Sequence, residues 1–396
     1  MSPSSDPLRG REPAISVTWR QVCGWRLAQQ HVTAPHTDLV AAAGGLGGIQ
    51  AQVTSSAQFA LGLRSRATTD DIDRALWTER RLVKTWAMRG TLHWLPADEF
   101  PLWIAALRTR EWRITPGWER YHGVTKAELD AVTDAIPAVL EGQALTRDEL
   151  ADRLADLTGK AALGEQLRSG WGAVLKPAAN RGLLCFGPDR GRNVVFMRPV
   201  DWMGELAREP DPDDALRTVL HRFLDVHGPA THTDFARWFG VPERPARQLL
   251  AAHADDLVVA AVDGATGWVT PAGAEALAAA GAAEGVVLLG GFDPYVLAPI
   301  SHRPAIIPDG HLDDVSRTAG WISAVVLVDG LVAGTWTTEQ GEGGRGSEGE
   351  GGTIVVVEPF TPLPSAVAGQ LAERAEALGG RILPGPVTVR MADAVV

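Results

Sequence analysis

The stretch GGLGGIQAQVTSS sets two amide side chains, Gln50 and Gln52, on either side of Ala51. A glutamine offers an acceptor oxygen and two donor hydrogens, yet takes no proton near neutral pH. Two of them can hold and orient a water, and orientation alone lowers a barrier substantially. They cannot deprotonate that water. Hydrolysis resting on two amides therefore suits a leaving group that departs unaided, such as one already carrying positive charge. A neutral leaving group calls for an Asp or Glu as general acid or base, and none lies between Asp38 and Asp70.

Whether the amides converge depends on the elements that carry them. The run Ile49–Arg66 reads as a helix, and in a helix residues two apart point about 200° away from each other. Gln50 and Gln52 can meet only if the helix begins at or just after Ile49 and leaves Gln50 in its approach. The glycines at 44, 45, 47 and 48 permit such an approach. Backbone N–H groups of Ala51 to Thr54 would then face an anion or the water, and Thr54, Ser55 and Ser56 add short hydroxyl donors. The same residues also fit an ordinary helix start with a solvated Gln52.

Around this stretch, apolar spacing predicts helices over Val17–Val32 (Thr18 as N-cap), His36–Gly45 and Thr68–Met88. RGTLHWLP (89–96) follows as a short β-like run and is echoed by RGLLCFGP (181–188). QALTRDELADRLADLTG (143–159) and GPATHTDFARWFGVPERPARQLLAAH (228–253) read as helix-turn-helix cores, and 256–271 as two strands around Asp-Gly. This organisation predicts an α+β chain of three tandem winged-helix units, 17–97, 98–202 and 203–283, after a tail of 1–16. The remainder, 284–396, is β-rich and reads as a small β-barrel with one helix (365–380). The Gly/Glu tract 339–352 cannot pack and reads as a hairpin loop.

Composition narrows the class. Apolar residues make up 45% of the 396 positions, enough for a sizeable core. No uninterrupted apolar run long enough for a membrane span occurs, and the N-terminus lacks the apolar stretch of a secretory signal. Cys23 and Cys185 stand far apart, which points to a reducing, cytoplasmic setting and away from disulfides or a zinc-thiolate site. The histidines form no metal-ligand spacing, so neither metal nor cofactor is expected. The net charge of −11 is unevenly spread: residues 1–120 hold 15 basic against 11 acidic groups, whereas residues 201–396 hold 12 against 27. A polyanionic partner would meet the first part.

The segments WRLAQQHV, GIQAQ, KTWAMRGTLHWLP, NRGLLCFGP, GGFDPYVL and VDGLVAGTW occur in order along most of the chain. As an ordered set they resemble the AlkZ/YcaQ-like winged-helix DNA glycosylase family. The resemblance implies three winged helices with a C-terminal β-barrel, a monomer, and removal of N7-alkylated purines from double-stranded DNA. It also associates the AlkZ branch with self-resistance to DNA-alkylating natural products. That branch carries Gln-apolar-Gln where the YcaQ branch carries Gln-apolar-Asp, so Gln50 and Gln52 become the catalytic candidates. Ala51 is a small filler of the apolar position.

Further candidates follow from that reading. Arg64 and Arg66 close the predicted helix and are candidate phosphate contacts. Arg89 and His93 lie on the first wing-like run, and Arg190 and Arg192 at the tip of PDRGRN, where DNA contacts are expected, although His93 also reads as a satisfied core histidine. Phe292, Asp293, Tyr295, His302 and Arg303 open the barrel and are candidates to face the lesion, although Phe292 and Tyr295 also read as barrel core. A non-catalytic winged-helix regulator, or a protein that binds the adduct or free drug, fits the same residues.

Overall fold

The computed structural model describes residues 7–392 apart from 9, 111–113, 160, 170–171, 298 and 341–351. The expected loop 339–352 thus lies largely outside the described residues. Two compact units form. One is drawn from Met1–Ile72, Leu220–Trp238 and Pro242–Val396, the other from Asp73–Val219 and Phe239–Val241. No helix among the described residues is long and apolar enough to cross a membrane.

The first unit opens with strand β1 (Ile15–Val17), helix α1 (Trp19–Gln29), helix α2 (Leu39–Gly45), strand β2 (Ile49–Gln50) and helix α3 (Thr54–Ser65). Residues 15 and 16, expected in a tail, run parallel to the strand Val258–Val262, with Ile15 opposite Ala260. That strand turns at Asp263-Gly264 into Ala265–Val269, the hairpin expected there. Thr18 caps α1 through a reciprocal box with Gln21: each residue's side chain accepts from the other's backbone N–H.

The C-terminal part of this unit is one curled sheet. Its strands lie in the order Val286–Leu289, Val325–Val328, Leu331–Gln340, Thr353–Pro359 and Val387–Met391, all antiparallel except the last pair. The first and last strands are not neighbours in this sheet, so it is an open half-barrel rather than the closed barrel expected. Helix Ser365–Glu376 covers one face, burying Leu371 and Ala375 against Val286, Val355 and Val387.

Helix α3 is held against this sheet. Phe59 packs edge-tilted on Trp336 with ring centroids 5.3 Å apart. A methyl group on Gly290 would stand only 2.9 Å from the Phe59 ring, so the close approach requires glycine there. Near its C-terminal end, Arg64 makes a two-pronged pair with Asp293, at 2.9 and 2.7 Å, and both side chains are fully buried.

In the second unit, strands Leu92–Pro96, Leu82–Trp86, Cys185–Arg190, Asn193–Met197 and Leu145–Thr146 lie side by side in that order. Leu82–Trp86 was expected to continue a helix; the helical stretch ends at Thr78. All five of its residues are buried, and a short run buried on both faces carries no period that separates strand from helix. The two Arg-Gly segments share this sheet through Lys84 opposite Phe186. Trp86, Phe186 and Phe196 fill its core against Leu129, Val132 and Leu154 of the covering helices.

Removing one partner of a buried ion pair strands the other charge in an apolar interior. Asp293→Ala is therefore expected to lower stability by about 3–5 kcal/mol. Urea unfolding checks this; a variant as stable as the parent would show that the pair does not bind α3 to the sheet.

Candidate functional site

Helix α2 ends in Gly44 and Gly45, so these two glycines are helical rather than part of the approach to the motif. The turn is made by Gly47 and Gly48, with φ of 72° and 93° in the region that glycine enters without strain. Gly47 N–H donates to Gly44 O and Gly48 N–H to Ala43 O, closing α2. The chain then leaves in extended form as β2.

This changes the geometry of the glutamines. The expected helix start near Ile49 is displaced to Thr54, with Val53 as N-cap in extended conformation (φ −116°, ψ 111°). Gln50 lies on a strand, and Gln52 in the non-helical residues between that strand and the cap. Extended backbone sends residues i and i+2 to the same side. Burial follows that alternation: Ile49 and Ala51 are each 1% exposed, Gln50 is half-buried and Gln52 exposed. Ile49 and Ala51 thus point into the core, while Gln50 and Gln52 are the residues of this segment that keep access to solvent.

The same segment ends at an uncapped helix. Val53 offers no side-chain hydrogen bond to the first turn of α3, whose first N–H groups have no intrahelical acceptor. Thr54 and Ser55 are exposed there and Ser56 is half-buried. The positive end of the helix dipole adds to the field. A methyl group on Gly291 would lie 3.4 Å from Ser56 Oγ, so the turn Gly290–Phe292 sits beside this helix start. Phe292, with φ of 57°, meets the half-exposed Trp321 edge-on at 4.9 Å. Trp321 had no signal in the sequence beyond being one of many tryptophans.

Several expected contacts lie elsewhere. Arg64 is fully buried on Asp293 and also donates to Ala60 O at 3.1 Å, so it does not reach a phosphate. Asp293, expected to face a lesion, has both oxygens on Arg64, and one also accepts from Tyr295 N–H. Tyr295 is buried, its hydroxyl donating to Gly330 O at 2.8 Å. Arg303 is buried too and donates to Val296 O, Leu297 O and Ser316 Oγ. His302 accepts at Nδ1 from Arg26, itself buried on His227 O and Gly228 O, and burial first, then Arg26, pushes its pKa down to about 2. None of these four faces an incoming base. Asp293, His302 and Arg303 instead satisfy buried carbonyls or charges, and Tyr295 sits in the core, the other reading its sequence allowed.

His93 is likewise interior. Its Nδ1–H donates to Thr91 O at 3.0 Å, and burial, followed by Arg89, lowers its pKa to about 3. Arg89 is half-buried, in a left-handed turn with φ of 58°. Arg66 is exposed at the C-cap of α3, roughly 20 Å along the helix from the glutamine segment. Arg190 and Arg192 flank Gly191 at an exposed hairpin tip, as expected, and Arg190 is also held by Glu149 at 3.1 Å and by Ala144 O. Among the described residues no group of histidine, cysteine and acidic side chains could hold a metal ion.

The mixed α+β chain that carries this segment is similar to a known class of repair enzyme. Residues 43–381 match the model of the AlkZ-like DNA glycosylases. An interstrand DNA cross-link repair glycosylase of Streptomyces sahachiroi is 40% identical over 329 residues, which is 81% of this chain and 88% of that protein. The solved structure of the Streptomyces sahachiroi DNA glycosylase AlkZ superposes with a TM-score of 0.85 at 34% identity, covering 96% of this chain and all of that one. The chain belongs to the AlkZ-like DNA glycosylase family. It is an enzyme of DNA repair, as the resemblance of its segments implied.

The buried histidines make the fold acid-sensitive. Both are neutral in the folded protein and return to a pKa near 6.5 on unfolding. The unfolded chain therefore binds more protons below about pH 6.5, and stability falls as pH drops towards 3, by about 1.4 kcal/mol per pH unit for each histidine. Urea midpoints measured from about pH 7.5 to 5 should decline accordingly, and His93→Gln should flatten the decline. An unchanged slope in that variant would contradict a neutral, buried His93.

Proposed function

We propose that this DNA glycosylase hydrolyses the N-glycosidic bond of bulky, cationic N7-alkylguanine adducts in double-stranded DNA. It acts as a monomer in the cytoplasm without metal or cofactor. Unhooking of interstrand cross-links belongs to the same reading, supported by the name of the Streptomyces sahachiroi relative. Self-resistance to a DNA-alkylating natural product is its biological setting, supported by the Gln-apolar-Gln form of the motif. The helix-and-hairpin segments, read as three winged helices, form the DNA-binding surface, with Arg66, Arg89, Arg190 and Arg192 as backbone contacts.

One observation carries the reading: Gln50, on a strand, and Gln52, in the non-helical residues after it, both lie outside α3, in a stretch with no carboxylate between Asp38 and Asp70. The acid beside α3, Asp293, is buried with both oxygens on Arg64. The leaving base must then supply its own driving force. An N7-alkylguanine carries a positive charge, so the electrons of the C1′–N9 bond leave with the base, which departs neutral. The two amides orient a water onto the electron-poor C1′, and the proton it sheds passes to solvent. The first-turn hydroxyls of Thr54, Ser55 and Ser56, with the bare N–H groups of α3, hold a neighbouring phosphate. Phe292 and Trp321 offer an apolar edge beside that turn for the base or its adduct.

Gln50→Ala and Gln52→Ala should each slow base release by about 100-fold or more under single-turnover conditions, the scale of losing one preorganised polar group. DNA affinity should hardly change. A duplex carrying N7-alkylguanine should yield an abasic site with the parent enzyme, whereas one carrying a neutral lesion such as hypoxanthine should stay intact. A double variant as active as the parent would refute the mechanism. Adduct binding with no abasic product would favour a non-catalytic binding protein instead.

A further inference from the structure

The second unit gathers three cations around one turn. Ala87–Gly90 closes between its two long neighbouring strands, with Arg89 and Gly90 both at positive φ. The Lys176 side chain runs past this turn: a methyl group on Gly90 would stand 3.5 Å from its Cδ and 3.7 Å from its Nζ. Arg110 approaches from the other side and donates to Ala87 O at 2.9 Å. A methyl group on Gly240 would lie 3.1 Å from a terminal nitrogen of Arg110 and 2.9 Å from the backbone of Arg89. Arg89, Arg110 and Lys176 thus converge, each half-buried.

What sets Arg110 and Lys176 apart is the lack of an acid. Lys176 makes no side-chain hydrogen bond or ion pair, and Arg110 meets no carboxylate, among the described residues. Burial lowers both pKa values, that of Arg110 to about 10, and Arg110 lowers Lys176 further. Arg110 also lines a groove of about 630 Å³ with Arg108, Arg181 and Asn180. There the other two arginines are neutralised, Arg108 by Glu209 at 2.6 Å and Arg181 by Asp134 at 3.1 Å. Asn180 is buried in the same groove with its side-chain oxygen unpartnered. Two partly desolvated cations held together without an anion cost free energy unless an anion arrives. The planar guanidinium and the mobile ammonium suit the two exposed oxygens of a phosphodiester.

We infer that Arg110 and Lys176 form a phosphate-binding site for the DNA backbone, completed by Arg89. This site rests on the reading of the protein as a DNA-acting enzyme and adds two residues that neither the motif nor the charge runs pointed to. Each cation that releases a counterion contributes about 0.9 to the slope of log Kd against log salt. The test measures that slope on a short duplex for the full-length parent, for Arg110→Gln, Lys176→Gln and their double variant, and for Arg108→Gln. The single variants should each lose about 0.9 of slope and the double variant about 1.8, with several-fold weaker binding. Arg108→Gln, whose charge is already met by Glu209, should keep the parent slope. Lys176 holds no hydrogen bond, so its variant keeps the test valid even if loss of the Arg110–Ala87 contact impairs folding. Unchanged slopes in a parent that binds DNA would overturn the site alone, as would an equal loss in Arg108→Gln. A parent that binds no DNA would overturn both this site and the reading beneath it.

Discussion

The buried pair between Arg64 and Asp293 is the constraint around which the first unit is arranged. Two opposite charges in an apolar interior survive only when each satisfies the other. Here the match is two-pronged; Arg64 also donates to Ala60 O and to Gln30 Oε1, and Asp293 also accepts from Tyr295 N–H. The geometry leaves little freedom, because a bidentate guanidinium fixes angle as well as distance. Helix α3 is therefore registered against the segment Gly290–Tyr295, with Phe59 seated on Gly290 and Ser56 beside Gly291. The glutamine segment enters this anchored helix directly, so its position is inherited from the pair some ten residues further on.

That arrangement separates structure from chemistry. Charge is confined to the interior end of α3, where it stabilises and does not react. The outer end presents amides, hydroxyls and backbone N–H groups, all polar and none titrating near neutrality. Under the proposed mechanism, an end built this way suits a leaving group that is already activated, and selectivity lies in the missing carboxylate.

Much of the local structure was legible from the chain. Thr18 announces the start of α1, Asp263-Gly264 the hairpin, and Gly191 the turn between Arg190 and Arg192, because caps and turns are decided by residues a few positions apart. The ordered segments identified the family. The start of α3 was misread by five residues. IQAQV has the apolar spacing of a helix, but Gly47 and Gly48 send the chain out as the strand Ile49–Gln50, and the helix does not begin until Thr54. Leu82–Trp86 was misread for a related reason: all five residues, Lys84 and Thr85 included, are buried, so no two-residue alternation marks the strand.

The sequence by itself determined which chemistry is possible: two amides, no neighbouring acid, and glycines that allow an approach. It could not decide where the cations point. Arg64 and Asp293 are 229 residues apart in the chain, and no local pattern reports a partner at that distance. His93, Tyr295, His302 and Arg303 carry polar groups that suit a surface equally well, until folding encloses them with carbonyls and charges they must satisfy. The placing of Gln50 and Gln52 outside α3 also belongs to the tertiary structure, decided by the turn before the motif and the anchored helix after it.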